Sequence, residues 1–242
     1  MHKLNWGLRL IILLAAMILI GEYTIGYGTR LLHLPYAPHL LIYKGLELLL
    51  ILGINYWLIH QPLHLPRLRW GTTLALVGFW VVIAAVTWHL HGGSRVLNGV
   101  VIGVVAAATE EVLFRGIVFA QLRRHWRMWP SIVVSGLLFG CLHLINLTHQ
   151  GGFITLMQIL QAAAMGMMLA AMYLRAGSLL APMSFHFSLD FIAVAIHGTS
   201  GTPVGAPALL LAGSLVWVMI YLAAAVVIIY GSRAPLRLVA EE

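Results

Sequence analysis

Charge is scarce in this chain. Of 242 residues only 9% are charged and seven are acidic, whereas 61% are hydrophobic and the mean hydropathy is +0.95. A soluble domain of this length could not cover its surface with so few polar groups, so the composition excludes one and points to a polytopic membrane protein. Cysteine is nearly missing as well. A lone Cys141 inside an apolar run excludes both a disulfide framework and a cysteine-rich metal site, and reads as a small core residue. Internal repeats, low-complexity tracts and a separate soluble domain are also lacking.

What is present is a series of apolar runs. Crossing roughly 30 Å of hydrocarbon takes about 20 helical residues, and such runs fall at 8–27, 39–60, 71–90, 97–121, 130–148, 153–174, 178–197 and 206–231. The expectation is an all-α, polytopic membrane helical bundle of about eight transmembrane helices. Lys3 and Arg9 precede the first run as in a signal peptide, but no small-x-small cleavage site leads into a polar start, so it reads as a retained helix.

Pro35, Pro38, Pro62, Pro66, Gly92-Gly93, Pro130, Gly151-Gly152, Gly177 and the stretch from Gly198 to Pro207 punctuate the expected ends. On alternate sides of this arrangement, Lys3, Arg9, Arg67, Arg69, Arg123, Arg124, Arg127, Arg175, Arg233 and Arg237 oppose only Arg30 and Arg95. Such a bias predicts that both termini are cytoplasmic. It also accounts for the net charge of +7 without nucleic acid as a partner. Trp6, Trp57, Trp70, Trp88, Trp126, Trp129 and Tyr36 fall near the predicted interfaces as an aromatic belt would.

The few ionisable residues inside the runs are then the informative ones, because a charge at mid-membrane costs about 2.5–3.5 kcal/mol on insertion scales. Lys44 and Glu47 are i and i+3 and, with Glu22 at similar depth, read as a structural ion pair. In the fourth run, Glu110 and Glu111 adjoin. Glu111 and Arg115 are i and i+4 on one face, which pairs one glutamate and leaves the other free. The fifth run sets Phe139 and His143 on one face, and the seventh does the same for His186 and Asp190. The other histidines lie near segment ends or in loops and read as interfacial side chains.

Glu110-Glu111-x-x-x-Arg115, Phe139-x-x-x-His143 and His186-x-x-x-Asp190, in this order on separate apolar helices, resemble the motifs of the CPBP family of intramembrane proteases. That family includes type II CAAX prenyl endopeptidases and bacteriocin-processing or immunity proteins. The resemblance covers roughly residues 97–195. It implies a glutamate-dependent protease in which Glu110 and His143 activate water, Glu111 and Arg115 support the site, and His186 and Asp190 occupy the oxyanion positions, with Phe139 as a substrate contact. Helices 1–3 (residues 1–96) would then precede a catalytic core at 97–197, and residues 198–242 would supply the last helix and a cytoplasmic tail. The well-studied members carry asparagine where this chain has Asp190. An amide donates to an oxyanion and an ionised carboxylate cannot. Asp190 would therefore act either as a neutral acid or by fixing the tautomer of a donating His186.

The chain lacks HExxH, in which two histidines one turn apart bind zinc and the glutamate acts as base. It lacks the GxSG serine and the paired aspartates of other intramembrane proteases too. The expectation is metal-free chemistry without a cofactor. A zinc site, which would class the enzyme as a metalloprotease, would draw on Glu110, His143 and His186. The expected partners are membrane lipid and a peptide or lipidated-protein substrate, and the expected location is the cell membrane, as a multi-pass protein. Two other readings compete: a proton-coupled transporter, since buried carboxylates and histidines also relay protons, and a non-catalytic, immunity-type member. The lack of repeated halves weighs against the transporter.

Overall fold

The structure is a computed structural model that describes residues 5–64, 70–198 and 206–231, with side chains throughout except at 70–77. Lys3, Arg67, Arg69, Arg233 and Arg237 from the charge count lie outside the described residues, as do His2, Pro66 and most of the stretch from Gly198 to Pro207. The side chain of Trp70 lies outside them too.

Among the described residues there is no strand. Helices α1 (Trp6–Arg30), α2 (Tyr36–Ile59), α4 (Gly93–His125), α5 (Met128–Thr148), α6 (Gly152–Ala176), α7 (Leu180–His197) and α8 (Pro207–Tyr230) are each long and apolar enough to cross a membrane. Between them, α3 (Trp70–His91) has the length of a span. Its fully described part, Gly78–His91, is a shorter apolar helix. The polytopic helical bundle is therefore observed, with seven candidate spans among the described residues where about eight were expected. Asn5 starts α1 by accepting from the Leu8 amide at 2.7 Å, the role of an N-cap. Gly177, at φ 65°, ends α6 in a left-handed turn that a residue with a Cβ would resist.

Among the described residues, three stretches widen into π-helix: Met17–Ile25, Asn55–Ile59 and Val112–Phe119. The third begins at the residue after Glu111 and is buried along its whole length. π-Helical turns are rare and frequent at functional sites.

The chain divides into two compact units. One comprises Met1–His60, Leu65–Glu111 and Met183–Gly201, the other Gln61–His64, Val112–Pro182 and Thr202–Glu242. In the first, α4 offers a groove made by Gly99 and Gly103, one turn apart, and α7 lays Phe187 and Phe191 against it. A Cβ at Gly103 would sit 2.6 Å from the Phe187 ring, and one at Gly99 would sit 3.0 Å from the Phe191 ring. Small residues at this spacing let membrane helices approach closely. Trp80 of α3 closes over the same pair, with its centroid 4.5 Å from Phe187 and 5.9 Å from Phe191. Arg95 ties the helix ends together by donating to the carbonyls of Ala195 and Ile196 at 3.1 and 3.2 Å. A cation there also suits the negative end of α7.

The second unit repeats the device with other residues. Gly136 and Gly140 of α5 meet α6, where a Cβ would lie 2.7 Å from the carbonyl oxygens of Ala163 and Ile159 respectively. Arg175 donates to the carbonyls of Ile228 and Ile229 at the end of α8, at 3.0 and 2.6 Å. Leu209, Val216, Met219 and Val227 of α8 stand exposed, a face suited to acyl chains.

Candidate active site

The packing of α7 decides where its polar residues point. With Phe187 and Phe191 seated on the glycines of α4, His186 and Asp190 each precede a seated phenylalanine by one residue. They are therefore turned about 100° around the helix. That turn brings them to Glu110 and Glu111 on α4. The Nδ1 atom of His186 lies 2.9 Å from Oε1 of Glu111, while its Nε2 lies 3.8 Å from Oε2 of Glu110 and 3.7 Å from Oδ2 of Asp190. Only the first is a hydrogen-bond distance. An ionised carboxylate solely accepts, so Nδ1–H donates to Glu111 and Nε2 is the ring atom turned towards Glu110 and Asp190.

Exposure separates the three carboxylates. The side chain of Glu111 is wholly buried, that of Glu110 is 14% exposed and that of Asp190 is 26% exposed. Glu111 is placed to orient the imidazole, whereas Glu110 and Asp190 are reachable. Sequence reasoning offered Asp190 as one way of fixing the tautomer of His186. In the structure Glu111 accepts from Nδ1 of that ring, and Asp190 stands 3.7 Å from Nε2.

Arg115, Phe139 and His143 belong to the second unit. The Arg115 side chain is wholly buried, its guanidinium carbon 4.4 Å from the centre of the Phe139 ring and its Nη2 donating to the Gly166 carbonyl at 3.3 Å. A cation over an aromatic face is stabilised by the ring quadrupole. Phe139 has no exposed surface and makes edge-on contacts to Phe114 and His143. His143 is half-buried at the end of the α-helical part of α5, with Nδ1 3.2 Å from the Phe139 carbonyl oxygen. That contact leaves Nε2 as the nitrogen for any partner beyond the helix.

Sequence reasoning missed Thr109 and misjudged the size of the Lys44 cluster. Thr109 is fully buried and donates from Oγ1 to the Lys44 carbonyl at 3.2 Å and the Val105 carbonyl at 2.7 Å, which pins the α4 backbone beside Glu110 to α2. A threonine next to the glutamates was the available signal. Lys44 pairs with Glu22 at 3.2 Å and Glu47 at 2.8 Å, as expected of a structural ion pair. Tyr43 extends that pair by donating to Glu22 and lying 4.6 Å from the ammonium.

Among the described residues, no three His, Cys, Asp or Glu side chains are arranged so that they could hold a metal ion. What the groups around His186 can supply is a base, an oriented ring N–H and a neighbouring acid or acceptor, which are the components of amide hydrolysis.

Residues 92–192, less than half of the chain, match the family model for Rce1-like type II CAAX prenyl endopeptidases. No curated protein and no solved structure matches the chain. The matched segment starts at the foot of α4 and ends two residues past Asp190, so it contains every motif residue described above. The chain is thus a multi-pass membrane protein that carries, over residues 92–192, a segment similar to the CPBP family of intramembrane endopeptidases.

Proposed function

We propose that this protein hydrolyses a peptide bond near the C-terminus of a lipidated, CAAX-type or otherwise hydrophobic peptide, using water activated by Glu110 and His143. The observation that carries the reading is the convergence of Glu110, Glu111 and Asp190 on the single buried imidazole of His186. A membrane helix pair has no structural need to gather so many ionisable groups, and their desolvation is costly.

Glu110 takes a proton from water, and the oxygen attacks the scissile carbonyl carbon as the carbonyl electrons move onto its oxygen. His186, oriented by Glu111, donates through Nε2 to that oxyanion when the ring carries both protons. Asp190 beside it either orients the ring or donates as a neutral acid. The proton on Glu110 then passes, with His143 sharing the transfer, to the leaving amine as the C–N bond breaks. His143 takes this part on its position in the motif order. Arg115 and Phe139 support His143 through the cation–ring stack.

The chemistry proposed is metal-free. Zinc, the alternative, would draw on Glu110, His143 and His186, the last through Nε2 because Nδ1 donates to Glu111. In the cell the protein would span the cell membrane with both termini in the cytoplasm, as the distribution of Lys and Arg requires.

The test is cleavage of a quenched, prenylated peptide by purified protein, with Glu110→Ala, His143→Ala and a chelator-treated sample alongside. Loss of about 10²- to 10⁴-fold in each variant is expected for acid-base groups, with no effect of chelator. Activity surviving Glu110→Ala would sink the base assignment, and inhibition by chelator would overturn the metal-free one.

A further inference from the structure

The connection between α1 and α2 holds a cleft of about 430 Å³ lined by Arg30, His33, Leu34, Tyr36 and His39, with no carboxylate among the lining residues. Arg30 is exposed, and among the described residues its guanidinium has no ion-pair or hydrogen-bond partner. Nor is it needed to cap α1, because the carbonyls of Gly28, Thr29 and Arg30 already accept from the amides of Leu31, Leu32 and His33.

The cleft is held in shape by its own wall. The buried hydroxyl of Thr29 donates to the Gly26 carbonyl at 3.2 Å, and so it accepts from Nε2–H of His39, also at 3.2 Å. The His39 ring stacks on Tyr43 with centroids 6.0 Å apart. Tyr43 in turn donates to Glu22, which Lys44 pairs at 3.2 Å. The acid reached through this wall is therefore already compensated, and the charge left over in the cleft is positive.

Position selects among the anions such a cleft could take. The candidate spans end at Arg30 and begin again at Tyr36, so the cleft lies where hydrocarbon gives way to headgroups. Leu31, Leu32 and Leu34 of the connection are exposed, as is Tyr27, which shares a helix face with Arg30 and Leu31 at i+3 and i+4. Water would leave these apolar side chains uncovered, whereas acyl chains at the headgroup boundary cover them.

We propose that this cleft binds the headgroup phosphate of an anionic phospholipid, with Arg30 as its cation and the Tyr36 hydroxyl and a His33 ring N–H as further donors. Guanidinium suits the task because its planar fork meets two phosphate oxygens through parallel N–H donors. The exposed Tyr27 and Leu31 beside it give the lipid's chains a path along the bundle. The site is independent of the peptidase reading, since it requires no reaction.

The experiment mixes full-length protein in detergent with phosphatidylglycerol or phosphatidylcholine and measures the lipid retained by native mass spectrometry. Wild type is compared with Arg30→Gln, Arg30→Lys and His33→Asp, and with Arg124→Gln as an exposed cation outside the cleft. Wild type should hold one phosphatidylglycerol, and Arg30→Gln should weaken it by about tenfold, as loss of a charge-assisted hydrogen bond implies. Arg30→Lys should keep part of the affinity. His33→Asp, a residue that also tolerates the left-handed backbone at φ 48°, sets an anion in the lining and should abolish binding. Arg124→Gln should change nothing. No tightly held phosphatidylglycerol on wild type, or undiminished binding to Arg30→Gln, overturns the proposal. Equal losses in Arg30→Gln and Arg124→Gln overturn it too, because overall charge would then be responsible. Displacement of the lipid by millimolar inorganic phosphate or glycerol phosphate would assign the cleft to free phosphate and overturn the lipid assignment. Arg30 and His33 are both exposed, so the lipid-free variants should unfold at the wild-type temperature. Should Arg30→Gln unfold, the order of Arg30→Lys and His33→Asp decides, and His33→Asp binding as tightly as wild type counts against the cleft.

Discussion

Nδ1 of His186 and Oε1 of Glu111 lie 2.9 Å apart in a fully buried setting, and this bond fixes which nitrogen of the ring is turned towards Glu110 and Asp190. In the proposed mechanism Glu111 would act on the reaction through another residue. Replacing it with Gln or Ala should lower kcat by about 10²- to 10³-fold, the magnitude associated with losing one oxyanion donor, and leave KM nearly unchanged. Steady-state kinetics on the purified variants would separate the two constants. A rise in KM with kcat intact would reject the orienting role.

Asp190 invites the opposite substitution. An Asn side chain keeps the shape and gains an N–H donor, so Asp190→Asn should stay within about tenfold of wild-type kcat, whereas Asp190→Ala, with neither donor nor acceptor, should lose about 10²-fold. If Asn were as damaging as Ala, the carboxylate itself would be required at this position.

Gly103 should be intolerant although it bears no chemistry. An added Cβ would sit 2.6 Å from the Phe187 ring and 3.0 Å from the Phe187 carbonyl oxygen, so Gly103→Ala forces α7 away at a cost of about 1–3 kcal/mol. Thermal unfolding in detergent and activity should both fall. Shortening the ring, as in Gly103→Ala with Phe187→Leu, should recover part of the loss, and additivity of the two changes would argue against direct packing.

Lys44 holds two glutamates in a buried setting, and removing it strands them. Lys44→Met should therefore destabilise by about 3–5 kcal/mol, the range for breaking a buried ion pair. A triple variant that also carries Glu22→Gln and Glu47→Gln should regain most of that stability. Chemical denaturation in mild detergent would measure both, and failure of the triple variant to recover would show that packing, rather than charge, is what Lys44 supplies.

Much of the architecture was legible because a membrane helix must be a long apolar run with satisfied backbone, and the runs around Leu13, Ile51, Ala106, Ile132, Leu169 and Val194 are all of that kind. The i and i+4 spacing of His186 and Asp190 gave their shared face correctly for the same reason. The bond between His186 and Glu111 was not legible, because it depends on how Phe187 and Phe191 seat on a helix 75 or more residues earlier in the chain. Nor does chain order reveal that α7 joins the unit of α1 to α3, while α5, α6 and α8 form another. Short-range periodicity reports which residues share a face, and only packing decides what that face meets.

The seating of α7 on Gly99 and Gly103 has one more consequence, for how variation in this protein should be read. Residues that never approach a substrate carry the alignment of those that do, so a mutational scan scored by turnover would mark Gly103, Phe187 and Trp80 as strongly as Glu110. The functional footprint would look several times larger than the chemical one. Only a scan that records abundance alongside activity would separate the residues that perform the reaction from those that keep it in register.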